Sequence, residues 1–214
     1  MLQKVSIPLS YLAMDKEPSP SNFPDVTGVM LAGGQSRRMG RDKAALNVAG
    51  QTMADRVLAF LQSLFPRTLI AGDRPDLIRP GIECFPDRYP GSSLGGLYNG
   101  LSNADSEWIF ALPCDMPFPN PTLATVLLAH RAAVAAVVPR SAAGFEPLFA
   151  LYHKDCLVHL EAMLQQGNFR IYDFYQRIPV HYLDPAQYID DWQRSLSNIN
   201  TQADLERITR NADF

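Results

Sequence analysis

Residues Val29–Leu46 read VMLAGGQSRRMGRDKAAL: a short apolar run feeds a Gly-Gly pair, two adjacent arginines follow, and a lysine arrives just before a new apolar periodicity. These are the residue types that a phosphate cradle requires. Gly33 and Gly34 permit tight turns and let backbone amides face an anion with no Cβ in the way. Arg37, Arg38, Arg41 and Lys43 concentrate positive charge around them. The run from Thr27 to Ala32 has the composition of a buried parallel strand, so the loop begins where that strand ends. Binding crevices of open α/β sheets lie beyond the carboxyl ends of strands, and the position of the loop therefore supports a ligand role. The same local pattern also describes an ordinary turn with a solvated charged edge.

Downstream, strands and helices alternate. Thr52 and Asp55 form a T-x-x-D helix start, followed by Val57, Leu58, Leu61, Leu64 and Phe65 at helical spacing and then Pro66. Thr68–Ala71 and Ile82–Phe85 read as strands, each followed by a turn with an aspartate, Asp73 and Asp87. A helix is expected over Leu94–Leu101 and a strand over Trp108–Leu112. The strand ends in Pro113-Cys114-Asp115-Met116-Pro117, where a carboxylate between prolines is well placed for a metal. Pro121–Ala136 reads as a helix running into a strand at Ala136–Val138. Phe145–Tyr152 (FEPLFALY) reads as β-prone, Asp155–Gln166 as a helix closed by Gly167, Ile178–Leu183 as a strand, and the tail from Thr201 as a closing helix. The alternation predicts one doubly wound α/β domain with a mostly parallel sheet over residues 25–214. Residues 1–24, with four prolines and no periodicity, are expected to be a leader or flexible arm.

Composition sets the outer bounds. With 47% hydrophobic and 19% charged residues, the 214-residue chain can bury a full core. A net charge of -3, with the basic residues gathered in one loop, argues against a nucleic-acid binder and for a small anion. Cys84, Cys114 and Cys156 are widely spaced and odd in number, which indicates neither a disulfide framework nor a zinc site and fits a reducing, cytoplasmic setting. No stretch is long and apolar enough to span a membrane.

Several motifs are weaker than they look. The glycine loop lacks the Gly-Lys-Ser/Thr of a P-loop and the spacing of G-x-G-x-x-G. Gly91-Ser92-Ser93-Leu94-Gly95 matches G-x-S-x-G, but a polar, proline-containing turn precedes it where a hydrolase nucleophile elbow needs an apolar strand. His130, His153, His159 and His181 show no metal spacing and read as surface or packing residues, and the aromatics of Phe169–Tyr175 read as core. Asn198-Ile199-Asn200-Thr201 has ordinary helix-start chemistry.

Together these pieces resemble the MobA family, the molybdenum cofactor guanylyltransferases. LAGGQSRRMGRDK at Leu31–Lys43 resembles the family's nucleotide loop, Asp87–Gly96 its second loop, and CDMPF at Cys114–Phe118 its metal strand end. EPLFALY at Glu146–Tyr152 and NINT at Asn198–Thr201 complete the order. The first motif is shared with many nucleotidyltransferases and speaks to reaction class; the later ones speak to the molybdopterin branch. The second loop reads PGSSLGG, whereas the commoner family form has Gly-Pro before its leucine.

The resemblance implies a Rossmann-like nucleotidyltransferase fold and transfer of GMP from GTP to molybdopterin or the molybdenum cofactor, with release of pyrophosphate. It implies nucleotide contacts from Leu31, Ala32, Gly33 and Gly34. Lys43, helped by Arg37 or Arg38, would stabilise the triphosphate. Asp115 would hold Mg²⁺, Asp87 would contact the nucleotide or support the metal, and Asp73 would lie on the base side. Glu146, Asn198 and Asn200 would face the pterin. Cofactor-biosynthesis proteins and acceptor molybdoenzymes are the implied partners, with no nucleic acid and no membrane. Gly33 stands where the family's cytidylyl branch tends to carry alanine, which favours guanine. The alternatives are a CTP-dependent molybdopterin cytidylyltransferase, a sugar-phosphate nucleotidyltransferase, and a non-enzymatic nucleotide-binding or cofactor-carrier protein.

Overall fold

Strand β1 (Val26–Leu31) is buried at all six positions and has a parallel neighbour on each side in the computed structural model, which describes residues 23–33, 43–48, 50–142, 144–201, 203, 204, 206 and 207. Its side chains alternate between two cores. Val26 and Met30 join Leu58 and Leu61 of helix α1 (Met53–Leu64) and Phe65 just after it, while Val29 and Leu31 join Leu94, Leu97 and Leu101 of α2 (Ser93–Asn103). A strand covered on both faces must be apolar throughout, which is why this run shows no polar alternation. The other helices keep the same division. Residues of α3 (Pro121–Ala129) lie in the α1 core, and those of α4 (Cys156–Gln165) and α5 (Ile171–Tyr175) lie in the α2 core.

The ribbon β2 (Asn47–Val48) and β3 (Gln51–Thr52) leads into α1. The main sheet comprises β1, β4 (Arg67–Ala71), β5 (Ile82–Phe85), β6 (Trp108–Pro113), β7 (Ala136–Ser141), β9 (Ala150–His153) and β10 (Val180–Leu183), with β8 (Gly144–Phe145) folded back on β7. The order is β10-β7-β9-β6-β1-β4-β5, and only β9 and β8 run antiparallel to their neighbours. The expected doubly wound, mostly parallel sheet is thus observed. Chain order reverses between β1 and β6, the position at which open α/β sheets place their binding crevice, at the carboxyl edge.

Three expectations need correction. The helix from Pro121 stops at Ala129, where the His130 ring pairs with the Val126 carbonyl at 2.8 Å and Ala133 turns the chain with φ 58°. Alanine and valine suit both the helix and the strand that follows, so composition hid the break. FEPLFALY is not one strand: Glu146 donates its N–H to Pro139, Phe149 donates back to Glu146, and pairing with β6 resumes only at Ala150. Pro147 has no N–H for a ladder. Within Phe169–Tyr175, Phe174 and Tyr175 are core, but Phe169 and Tyr172 are 51% and 58% exposed, because a short helix buries one face.

Of the expected leader, residues 1–22 lie outside the described residues; Phe23 is buried and its ring lies 6.3 Å from that of Phe65. Among the described residues no helix is long and apolar enough to cross a membrane. The expected T-x-x-D start is formed: Thr52 Oγ1 accepts the Asp55 N–H at 3.1 Å and donates to its carboxylate at 2.6 Å. Replacing this cap, Thr52→Ala, is expected to cost about 1 kcal/mol of unfolding free energy, measured as a lower urea midpoint at unchanged slope.

Candidate active site

Four loops leave the same edge of the sheet. Strand β1 runs into Ala32-Gly33, β4 into Gly72-Asp73, β5 into Pro86-Asp87 and β6 into Cys114-Asp115. Backbone hydrogen bonds tie them together past the strand ends: Ala32 to Ala71 at 2.9 Å, Gly72 to Phe85 at 2.9 Å, and Cys114 to Leu31 at 3.1 Å. Gly72, with φ 141°, packs so closely that a Cβ there would lie 2.7 Å from the Gly33 nitrogen. A Cβ on Gly33 would in turn overlap Oδ2 of Asp87. The glycine therefore lets the backbone after β1 meet a carboxylate directly.

That carboxylate is held from the other side. Asn99, buried on α2, donates its amide to Asp87 Oδ1 at 3.0 Å and to the Phe85 carbonyl at 2.7 Å. Burial pushes the Asp87 carboxyl above the ordinary carboxylate value; the Asn99 amide opposes the rise and the charge of Asp73 adds to it. Asp73 itself is exposed. Asn99 was not singled out by the sequence. Its only signal is an amide within an otherwise apolar helix face.

Lys43 lies near enough to Asp115 for its charge to act on that carboxyl, and the adjacent residues Ile199 and Asn200 touch one each. Burial raises the Asp115 carboxyl, and the Lys43 ammonium is the main charge that counters it. The ammonium donates to Asn200 Oδ1 at 2.5 Å. The adjacent Ile199 donates its backbone N–H to the Asp115 carbonyl at 2.8 Å, and its side chain is buried with Val48 and Met53. Asn198-Ile199-Asn200-Thr201 therefore does more than start a helix, although Thr201 also accepts the Asp204 N–H at 3.0 Å.

Glu146 reaches this edge by a different route. Strand β9 is antiparallel, so its beginning at Ala150 lies beside Ala111 near the end of β6, and Glu146 precedes it. Burial pushes its carboxyl up. Asn198 is exposed next to the Ile199 anchor. Gly34, Arg37, Arg38 and Arg41 lie outside the described residues. The G-x-S-x-G segment is no nucleophile elbow: residues 86–92 form no strand, and Ser92 caps α2 by accepting the Gly95 N–H at 2.9 Å. The histidines are packing or surface residues as expected: His130 stacks on His181 at 5.1 Å, and His153 faces Glu107 and Asp155. Among the described residues no three His, Cys, Asp or Glu side chains gather to hold a metal alone. The available donors, Asp115 and Asp87, are oxygen only. They suit a hard divalent cation whose shell is completed by substrate phosphates and water.

An α/β sheet presenting a glycine turn, a lysine and strand-end carboxylates at its topological switch point defines a nucleotide-handling domain of the transferase class. Residues 28–180 match the MobA-like NTP transferase domain, and the chain belongs to that family. It is 34% identical over 183 residues to a probable molybdenum cofactor guanylyltransferase of Pelotomaculum thermopropionicum, covering 84% of this chain and 89% of the relative. It is 34% identical over 188 residues to the molybdenum cofactor guanylyltransferase of Desulfosudis oleivorans, covering 85% and 93%. Among solved structures, the molybdopterin-guanine dinucleotide biosynthesis protein A of Archaeoglobus fulgidus superimposes with a TM-score of 0.72 at 25% identity, over 86% of this chain and 97% of that one.

The raised carboxyl of Asp87 has a consequence for stability. A folded-state value above the unfolded one means that ionisation opposes folding. The cost is absent below the ordinary carboxylate value and grows as pH rises through the folded one. Asp87→Asn, which keeps the Asn99 hydrogen bond, is expected to raise the thermal midpoint of the ligand-free protein at pH 7. The gain should vanish below about pH 4 in the same melting series.

Proposed function

We propose that the chain transfers GMP from GTP to the terminal phosphate of molybdopterin or the molybdenum cofactor, giving the guanine dinucleotide cofactor and pyrophosphate. The names of its relatives support this reading. The observation that carries it is the bridging of Lys43 and Asp115 by two adjacent residues, Asn200 accepting from the ammonium and Ile199 donating to the Asp115 carbonyl. An acceptor phosphate oxygen attacks the α-phosphorus of GTP; as that bond forms, the bond from the α-phosphorus to the bridging oxygen breaks and pyrophosphate leaves with the electron pair. This chemistry needs alignment and charge neutralisation, with no serine or cysteine nucleophile.

The backbone of Leu31, Ala32, Gly33 and Gly34 receives the nucleotide, with Asp73 towards the base and Asp87 against the loop. Lys43, with Arg37 and Arg38, binds the triphosphate and stabilises charge on the departing pyrophosphate. Asp115 would hold Mg²⁺, which supplies charge neutralisation across the phosphates when bound. Glu146, Asn198 and Asn200 face the acceptor. Residues 25–214 act as a single nucleotidyltransferase domain. The chain works in the cytoplasm, receiving its acceptor from cofactor-biosynthesis proteins and passing product to molybdoenzymes.

Incubating the protein with molybdopterin, Mg²⁺ and either GTP or CTP, and measuring pyrophosphate, tests this directly. Release with GTP is expected. Release only with CTP, or only with a sugar phosphate as acceptor, would overturn the assignment, and nucleotide binding without release would indicate a carrier. Lys43→Ala and Asp115→Ala are each expected to lower turnover by about 10²-fold or more. Wild-type turnover in both variants would remove the assigned phosphate and metal roles.

A further inference from the structure

The ring of Phe118 is shared by two guanidinium groups from distant parts of the chain. Arg56 on α1 places its Cζ 5.3 Å from the ring centroid and donates Nε to the Pro117 carbonyl at 3.0 Å. Arg194, on the short helix α6 (Trp192–Ser195), places its Cζ 4.6 Å from the same centroid. The Nε of Arg194 is buried and has no hydrogen-bond partner among the described residues, and the nearest carboxylate, Asp191, stands 3.9 Å from Nη1. The ring is therefore the principal contact of this head group. A guanidinium is weakly hydrated for a cation and is attracted to an aromatic face most strongly where water is excluded. Leaving a buried donor unpaired is unfavourable, so the contact calls for a reason beyond local stability.

The reason lies in what the two residues carry. Phe118 lies on the loop that holds Asp115, and Arg194 lies on the segment that leads to Asn200. Three ties join loop and segment to the site: Arg194 on the Phe118 ring, the Ile199 N–H on the Asp115 carbonyl, and Asn200 on the Lys43 ammonium. We propose that Arg194 is a positioning residue: clamped on Phe118, it seats residues 192–200 so that Asn200 holds Lys43 beside Asp115. The proposal rests on the reading that Lys43 and Asp115 form the reacting centre. Few residues separate the clamp from Ile199, so slack at the ring is passed to the two ties at the site. The Ile199 side chain stays anchored among Val48 and Met53, so losing the clamp loosens the segment without releasing it.

The test is Arg194→Met, which keeps the length of the side chain and removes its charge, with Arg194→Lys as the conservative partner. In the full-length protein, Arg194→Met is expected to speed hydrogen exchange of the Ile199 amide by about tenfold, while amides of β1 and β6 keep their protection. Turnover should fall by about tenfold with little change in KM for GTP, since alignment is lost and binding is not. Arg194→Lys should recover most of both. Should Arg194→Met fail to fold, Phe118→Leu and Phe118→Tyr ask the same question, with Tyr active and Leu impaired. Unchanged Ile199 exchange, faster exchange at wild-type turnover, or equal damage from Lys and Met would each overturn the clamp. A Lys43→Ala enzyme with wild-type turnover would instead remove the reacting centre and leave the Ile199 exchange result standing on its own.

Discussion

Parallel pairing of β1 with β4 on one side and β6 on the other is the constraint on which the rest of the structure depends. Parallel strands end at one edge, so the loops after β1, β4, β5 and β6 must meet there whatever their sequences. Helices then have to cover both faces to return the chain, and the apolar side chains of β1 divide between the α1 core and the α2 core accordingly. The antiparallel β9 extends the same logic: because it runs the other way, its beginning reaches the edge where its neighbours end, and Glu146 arrives with it.

Meeting at that edge carries an electrostatic cost. Asp87, Asp115 and Glu146 share one dominant influence, burial, and all three carboxyls are displaced towards the neutral form. A fold selected for stability alone would place amides or apolar groups there. A cation held by such carboxylates, as the proposed function has it, would favour their charged form and offset that cost. The surface ion pairs, such as Arg67 with Glu83 and Arg79 with Asp55, show the opposite arrangement: exposed partners satisfied within the chain, each of modest worth.

Much of this was legible in the residues because its causes are local. The apolar run of β1, the Thr52 cap and the aspartates after β4, β5 and β6 each carry a signal within a few positions, and the elements they predict are observed within a residue or two. What was not legible depends on partners far away. Asn99 is an unremarked helix amide until Asp87 folds against it, and the role of Ile199 exists only through Asp115, 84 residues earlier in the numbering. The misplaced helix end at Ala129 has a different origin: alanine and valine satisfy helix and strand alike, so the boundary is set by a His130 side-chain bond and one left-handed residue.

Asn200 presents a neutral amide to the Lys43 ammonium. Lys43 lies close enough to Asp115 to lower the cost of its charge, yet its hydrogen bond goes to a neutral amide. A carboxylate at that position would form a charge-assisted pair with the ammonium and add a second negative charge beside Asp115. The lysine would then be neutralised before any phosphate arrived, and its transfer to the substrate would cost a strong pair for a strong pair. An amide oxygen accepts the hydrogen bond but carries no net charge, so it orients Lys43 without neutralising it. Under the proposed function, an ammonium held in this way would gain by moving onto a polyphosphate, and Asp115 would gain by taking a cation. On that reading, preorganisation would depend on the docking of residues 199 and 200, which join Asp115 and Lys43 from a distant part of the chain.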